Sequence, residues 1–418
     1  MTGLSRSGGP GRADGPPAGA SASGGSGGFG GSGGSGPADG PPAGADAAPV
    51  GTPLPDAGAL PDTGAAGRGA RAGRPVRRAA GVRPAAALAA SALLLASMLA
   101  ALLIGAADIA PERVALQLLD WLPIVSADSG LAPVEQGLLW ELRLPRVLLA
   151  AIVGGLLAVA GAAYQGVFRN PLADPYLLGA AAGAGLTTTA AIVFMKGDDQ
   201  ALVIPAAAFA GAVGGVLLAY ALGNVAGRGG GTATLVLAGV AVTSFLTAVQ
   251  TFLQQLRVEE LQRIYAWILG DVGGGWSQIG LAAPYAAASV VVMLLHGRLL
   301  DVLSVGDDEA GSLGLNVARV RLVVLLAASL ATASAVAVSG LIGFVGIVVP
   351  HVVRRLAGGS YRSVLPLSLI GGAAFLVLAD LIARTVLAPA ELPIGVVTAF
   401  VGAPFFVAVL RMTRRVET

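Results

Sequence analysis

The chain is predicted to be all-α, a polytopic membrane protein of about ten transmembrane helices. Three observations predict it. First, 55% of its 418 residues are hydrophobic and only 12% charged, whereas soluble domains carry roughly a quarter charged residues. Mean hydropathy is +0.77, which excludes an ordinary soluble enzyme. Second, the apolar residues lie in long runs. The run from Val147 to Phe168 holds no charged side chain and matches the ~20 residues a helix needs to cross a bilayer. Third, arginines bracket the runs: Arg143 and Arg146 stand before that one and Arg169 after it.

Taken in order, residues 1–83 are rich in GGSGG and GPPAG segments and lack hydrophobic periodicity. They cannot bury enough apolar surface to offset chain entropy and read as a disordered Gly/Pro/Ala-rich cytoplasmic tail. The remainder, 84–415, reads as one ten-helix transmembrane domain. The first span covers about 84–107. Its apolar core exceeds a signal-peptide h-region and some 80 residues precede it, so a retained helix is expected. Arg74, Arg77, Arg78 and Arg83 lie just before it, which puts the N-terminus in the cytoplasm.

Residues 108–142, with Pro111, Pro123 and Pro133, then form an outer segment with amphipathic pieces. The second span is about 145–168. Asn170-Pro171 and Asp174-Pro175 stop it, because proline lacks an amide donor and disfavours helix at the preceding residue. The third to sixth spans are about 177–195, 202–222, 234–256 and 279–295. Between the last two, IYAWILG is too short to cross and reads as an interfacial or re-entrant helix, with Trp267 and Trp276 at headgroup level. A polar inner segment, 296–321, precedes spans at about 322–338, 339–355, 365–382 and 392–410. Arg169, Arg228, Arg298, Arg319, Arg321, Arg354, Arg355 and Arg362 all then fall on inner loops, as the positive-inside rule expects. Gly179/Gly183, Gly211/Gly215 and Gly340/Gly343/Gly346 recur at helical spacing and mark close helix contacts.

The composition also limits the chemistry. There is no cysteine, and histidine occurs only at 296 and 351, so thiolate chemistry is excluded and metal clusters are disfavoured. Lys196, preceded by Met195, is the only lysine. A GxxxxGK[ST] phosphate loop is therefore absent, and energy from ATP has to come from a partner. Charges are scattered and the net charge is +2, so no basic stripe for nucleic acid exists. An ion-coupled transporter would need polar residues at mid-membrane, which are scarce here. A membrane enzyme would need a nucleophile, metal cluster or paired acids near one face, and none is evident.

The polar residues at the membrane surfaces remain. Arg143, Arg146 and Arg384 all emerge on the outer face. They read either as a basic rim for acidic residues of a soluble partner or as locally paired charges, Arg384 with Asp380 and Arg143 with Glu141. Asp307, Asp308 and Glu309, followed by Leu313 and Gly314, read either as a solvated loop or as a short helix that fits a cytoplasmic motor subunit. Gln165, Arg169 and Asn170 read either as the inner mouth of a pathway or as helix-end capping and headgroup contacts.

Several long stretches in register carry a resemblance: RLPR (143–146), RNPLADPYLLG (169–179), GDDEAGSLGLNVARVR (306–321), GLIGFVGIVVPHVVRRLAGGSYRSVLP (340–366), ADLIAR (379–384) and ELPIGVVTAFVGAPFF (391–406). They resemble the permeases of bacterial ABC importers for iron-siderophores, haem and vitamin B12, the FecCD family, over about residues 84–415. The resemblance implies a ten-helix fold like the vitamin B12 importer permease. It implies a homodimer or a heterodimer with a similar chain, two cytoplasmic ATPase subunits that bind the ATP, and an extracytoplasmic binding protein that delivers cargo. It implies no cofactor in this chain and a place in the bacterial inner membrane. In the family, arginines matching Arg143, Arg146 and Arg384 meet glutamates of the binding protein, and coupling helices match 301–316. The cavity, on this resemblance, lies between two permeases and is lined partly by the second, fifth and eighth spans.

Overall fold

The computed structural model describes residues 82, 84–105, 109–121, 128–195, 200–226 and 232–414. The expected tail, 1–83, lies outside the described residues apart from Val82, as do the loops 196–199 and 227–231. Among the described residues every regular element is helical. The chain opens with α1 (Pro84–Leu103), followed by the short α2 (Pro111–Asp120) and α3 (Pro133–Gly137). A π-helical stretch, Leu138–Arg143, feeds α4 (Leu144–Phe168), and a 3-10 turn, Pro175–Leu178, leads to α5 (Ala180–Phe194). Then come α6 (Gln200–Ala226), α7 (Thr232–Leu256), α8 (Leu261–Ile268) and α9 (Trp276–Leu295). The short α10 (Gly297–Leu303) and α11 (Asp307–Ser312) precede α12 (Val317–Ser339), α13 (Val345–Ala357), α14 (Tyr361–Thr385) and α15 (Ile394–Arg414).

Ten of these, α1, α4–α7, α9 and α12–α15, fall on the ten predicted spans. Among the described residues seven helices are long and apolar enough to cross a membrane, while α5 and the described part of α15 are shorter apolar helices. α13 is shorter still, at 13 residues. The helix count is therefore about ten, with three passes completed by shorter or partly non-helical segments.

The boundaries differ from the sequence reading at three places, each with a local cause. The second span begins earlier than 145, as one continuous helix Pro133–Phe168. Pro145 does not start it, because the π-helical turn just before the proline widens the backbone where its ring would otherwise meet the carbonyl one turn back. The third span is split. The Asp174 carboxylate accepts the Tyr176 N–H at 2.8 Å and starts the 3-10 turn, and Gly179, at φ +82°, resets the chain for α5. The eighth span is helical only from Val345, since 340–343 run non-helical and Phe344 sits at φ +69°.

The core is built around α4, which packs against α14, α12, α13 and α9 and is buried almost along its whole length. In lipid, apolar side chains gain little by leaving hydrocarbon, so close backbone approach must hold helices together. The glycines supply it. A side chain on Gly154 would strike the Gly372 carbonyl of α14, and one on Gly161 would strike the Gly346 carbonyl of α13. Two of the glycine repeats expected to mark close contacts meet each other: Gly183 of α5 faces Gly211 of α6, and Gly215 faces the Gly179 carbonyl. Gly343, in contrast, has no neighbour within 4 Å of where a side chain would begin. Trp121, Trp140 and Trp276 cluster at one end, with ring centroids 5.1 and 5.3 Å apart, as expected of an interfacial aromatic belt. The eight-residue α8 lies beside α5 through Ile264, Ile192 and Val193.

Gly183→Val is expected to wedge α5 from α6, since overpacking typically costs about 1–3 kcal/mol. Thermal unfolding in detergent should show a drop of several degrees, whereas Gly343→Ala should leave the midpoint where it is.

Candidate functional site

The two groups of polar residues singled out by sequence lie at opposite ends of α4. Arg146 is in its first turn and Arg169 caps its last, about 35 Å apart at the helical rise.

At the first end, three arginines meet two carboxylates and the C-terminus of α1. Arg146 donates from Nε to Asp380 Oδ1 at 2.9 Å and from Nη1 and Nη2 to both oxygens of Glu391, at 3.1 and 2.9 Å. Arg384, one turn beyond Asp380 on α14, approaches its Oδ2 at 3.3 Å. Arg143 donates to the Leu102 carbonyl at 3.2 Å, and Arg384 donates to the Ala101 carbonyl. Two cations therefore sit on the negative end of the α1 dipole. Gly105 leaves room for them, because a Cβ there would lie 2.7 Å from the Arg143 guanidinium.

The basic rim is thus not a row of exposed cations in this structure. Arg143 is 7% exposed and Arg384 4%. Leaving a charge unpaired at a span boundary is costly, and α1 and Asp380 absorb that cost here. The Arg384–Asp380 pairing read from spacing is present. Arg143 is instead buried against α1, while Glu141 is exposed. Glu391 was missed as a partner because it arrives from the turn before α15, far away in sequence. The α1 carbonyls were missed because backbone groups carry no sequence signal.

At the other end, Gln165 is 1% exposed and fully engaged. Its amide nitrogen donates to the Gly346 and Ala173 carbonyls, at 2.9 and 3.3 Å, and its oxygen accepts from Arg354 Nη1. In this structure it is a knot between α4, the following turn and α13, not a surface of an open mouth. Arg169 and Asn170 are exposed. Arg169 adopts the left-handed conformation, φ 51°, that ends α4, and the Asn170 Oδ1 accepts the Leu172 N–H at 2.9 Å, closing the turn in the usual Asn fashion.

The acidic segment divides. Asp308, Glu309, Leu313 and Gly314 are exposed, Leu313 by 71%, and Gly314 holds a positive φ of 83°. Asp307 is half-exposed but paired: Arg321 Nη2 donates to both its oxygens at 3.0 Å, and Arg169 Nη2 stands 3.4 Å away. Nearby, Asp301 of α10 caps α14, accepting the Tyr361 N–H at 2.6 Å and the Ser360 hydroxyl at 2.7 Å. Asp301, Arg321 and Arg354 were not singled out by sequence as site residues, because no spacing pattern marks their partners Tyr361, Asp307 and Gln165.

The sequence profile of the FecCD transport family matches residues 93–412. The chain belongs to that family. It is a transport permease rather than an enzyme. This FecCD chain is 41% identical to an uncharacterised ABC transporter permease, YvrB, of Bacillus subtilis, over 66% of this chain and 80% of the relative. It is 40% identical to the cobalamin import permease BtuC of Halobacterium salinarum, over 68% and 75%, and 40% identical to the Fe(3+) dicitrate permease FecD of Escherichia coli, over 65% and 84%. Among solved structures, a metal-chelate-type ABC transporter in an inward-facing conformation superposes with a TM-score of 0.68 at 29% identity, covering 79% of this chain and all of that one.

Within the FecCD permease, burial in the turn between α4 and α5 pushes the Asp174 carboxyl up to about 6, against the stabilising Tyr176 N–H. A carboxyl raised above its unfolded value favours the fold while protonated. Its contribution is present below the unfolded value near 4 and lost as pH rises through about 6. Unfolding midpoints of the native protein should therefore fall as pH rises from about 4 to about 6 and level off above that. In Asp174→Asn, which keeps the capping oxygen, that part of the fall should disappear.

Proposed function

We propose that this FecCD permease moves an iron chelate, a ferric siderophore before haem or cobalamin, into the cytoplasm of a bacterium across its inner membrane. Two cytoplasmic ATPase subunits bind and hydrolyse the ATP, and an extracytoplasmic binding protein delivers the cargo. The permease pairs with a second copy or a similar chain, both termini face the cytoplasm, and no cofactor is bound by this chain. The observation that carries this reading is the split of the polar residues between the two ends of α4. One end holds Arg146 and Arg384 on two carboxylates, with Arg143 beside them on the end of α1. The other presents a short helix with an exposed acidic and apolar tip, Asp308, Glu309 and Leu313.

The first end suits a protein surface bearing glutamates. Arg146 is the natural contact, since its side chain is 18% exposed and its outward partner Glu391 is 44% exposed. A glutamate of the binding protein would exchange for Glu391 on the same guanidinium, and fork-shaped arginine–carboxylate pairing favours such exchange. The second end suits a groove on an ATPase, with Leu313 as the apolar anchor. Relatives at 39–40% identity are named for hemin, Fe(3+) dicitrate and cobalamin alike, so overall identity does not sort the ligands.

The test is to purify the transporter from its own membrane. An ATPase subunit should co-purify, and Leu313→Asp should remove it. Arg146→Glu should weaken binding-protein affinity at least tenfold while the ATPase stays bound. Affinity for the binding protein unaltered by that reversal would refute the docking role. Titrating the binding protein with ferric siderophore, haem and cobalamin should give the tightest binding for the siderophore, and a preference for either of the others would overturn that choice.

A further inference from the structure

We infer that Asp307 is a positioning residue that fastens the α10–α11 segment to the inner end of α4, and is not a contact for the ATPase. This rests on the reading of α10–α11 as the coupling segment. The geometry separates Asp307 from its neighbours. Asp308, Glu309, Leu313 and Gly314 face outward, while the Asp307 carboxylate lies between two guanidiniums, Arg321 of α12 at 3.0 Å and Arg169 at 3.4 Å.

Arg169 is not an arbitrary partner. It is the left-handed residue that ends α4, and one turn before it Gln165 ties α4 to α13 through Arg354 and the Gly346 carbonyl. Arg354 in turn lies over the Tyr361 ring, 5.6 Å from its centroid. Tyr361 opens α14, and its N–H and the adjacent Ser360 hydroxyl are held by Asp301 of α10. The contacts close a ring: α10 to α14, α14 to α13, α13 to α4, and α4 back to α11. The segment is therefore gripped at both ends, by Asp301 on α14 and by Asp307 on α4 and α12. A push on the exposed tip of α11 reaches α4 through this carboxylate, beside the direct packing of α10 on α4 at Leu300 and Gly166.

This role differs from a stabilising one. The Asp307 and Arg169 side chains are about 40% exposed, and half-exposed ion pairs add little to fold stability. What two arginines on one carboxylate supply is a defined direction of contact. Removing it should leave the permease folded and the ATPase docked while loosening the link between hydrolysis and movement.

The experiment uses the complete transporter, with ATPase and binding protein, in proteoliposomes. It reads cargo moved per ATP hydrolysed and the affinity of permease for ATPase. Asp307→Asn should lower cargo per ATP at least fivefold and change ATPase affinity by less than twofold. Arg169→Gln should do the same, and the double variant should be no worse than the stronger single, as expected for two groups acting through one contact. Asp307→Glu, which keeps the carboxylate, should retain at least half of the coupling. If Asp307→Asn does not assemble, Arg169→Gln, on an exposed side chain, decides the matter by the same readout. The proposal is overturned by weakened ATPase binding in Asp307→Asn, by an unchanged ratio of cargo to ATP, or by additive losses in the double variant. Full ATPase binding and coupling in Leu313→Asp would instead sink the coupling assignment of α10–α11 itself, a separate outcome.

Discussion

Hydrocarbon offers a polar group no partner, so every charge or amide that this chain brings near the membrane must carry its partner with it. The consequence is visible along α4. Its middle, from Val147 to Tyr164, is apolar or small and almost entirely buried. Its two ends hold the ion pairs and the engaged amide. Apolar contact cannot be the main adhesive in such a body, so α4 is held by glycine faces, Gly154 on Gly372 and Gly161 on Gly346. These bring backbones together where side chains would keep them apart.

The two polar ends solve the problem differently. At the Arg146 end Arg146 and Arg384 share Asp380, Arg146 also takes Glu391, and carbonyls at the C-terminus of α1 accept from Arg143 and Arg384. A helix end leaves its last carbonyls without intrahelical donors, so α1 and the arginines satisfy each other. That arrangement makes α1 part of the polar end although only 17% of its apolar window is buried. At the Arg169 end the contacts are linked into a ring through α10, α11, α13 and α14. An isolated exposed pair is worth at most about 1 kcal/mol. A closed set of them fixes relative positions without locking the body rigidly.

How legible this was depended on whether a feature is local. The spans were readable because a run such as Val147–Phe168 needs no partner to be recognised. That the segments with Gly179/Gly183 and Gly211/Gly215 make close contacts was readable because each pair repeats at one-turn spacing, although which helix each would meet was not. The Asp380–Arg384 pair was readable for the same reason. The pairing of Arg146 with Glu391, of Asp307 with Arg169, and of Asp301 with Ser360 was not. These partners are far apart in the chain, and charge alone does not say which of many arginines a carboxylate will meet. The interruptions at Gly179 and Phe344 were missed because hydropathy is blind to a left-handed residue within an apolar run.

The sequence by itself determined the class of molecule: all-helical, membrane-embedded, crossing about ten times, without a nucleotide-binding loop, and with its motif arginines and its acidic segment on opposite surfaces. Those properties follow from hydropathy, helix length and residue absence, which are sums over local stretches. Only the tertiary structure decided that Arg143 and Arg384 are buried on the end of α1, that Gln165 ties α4 to α13, and that Asp307 meets Arg321 and Arg169 while Asp308 and Glu309 stay exposed. The reason is physical: a buried polar group is defined by the partner that makes its burial affordable, and that partner is brought to it only when the helices pack.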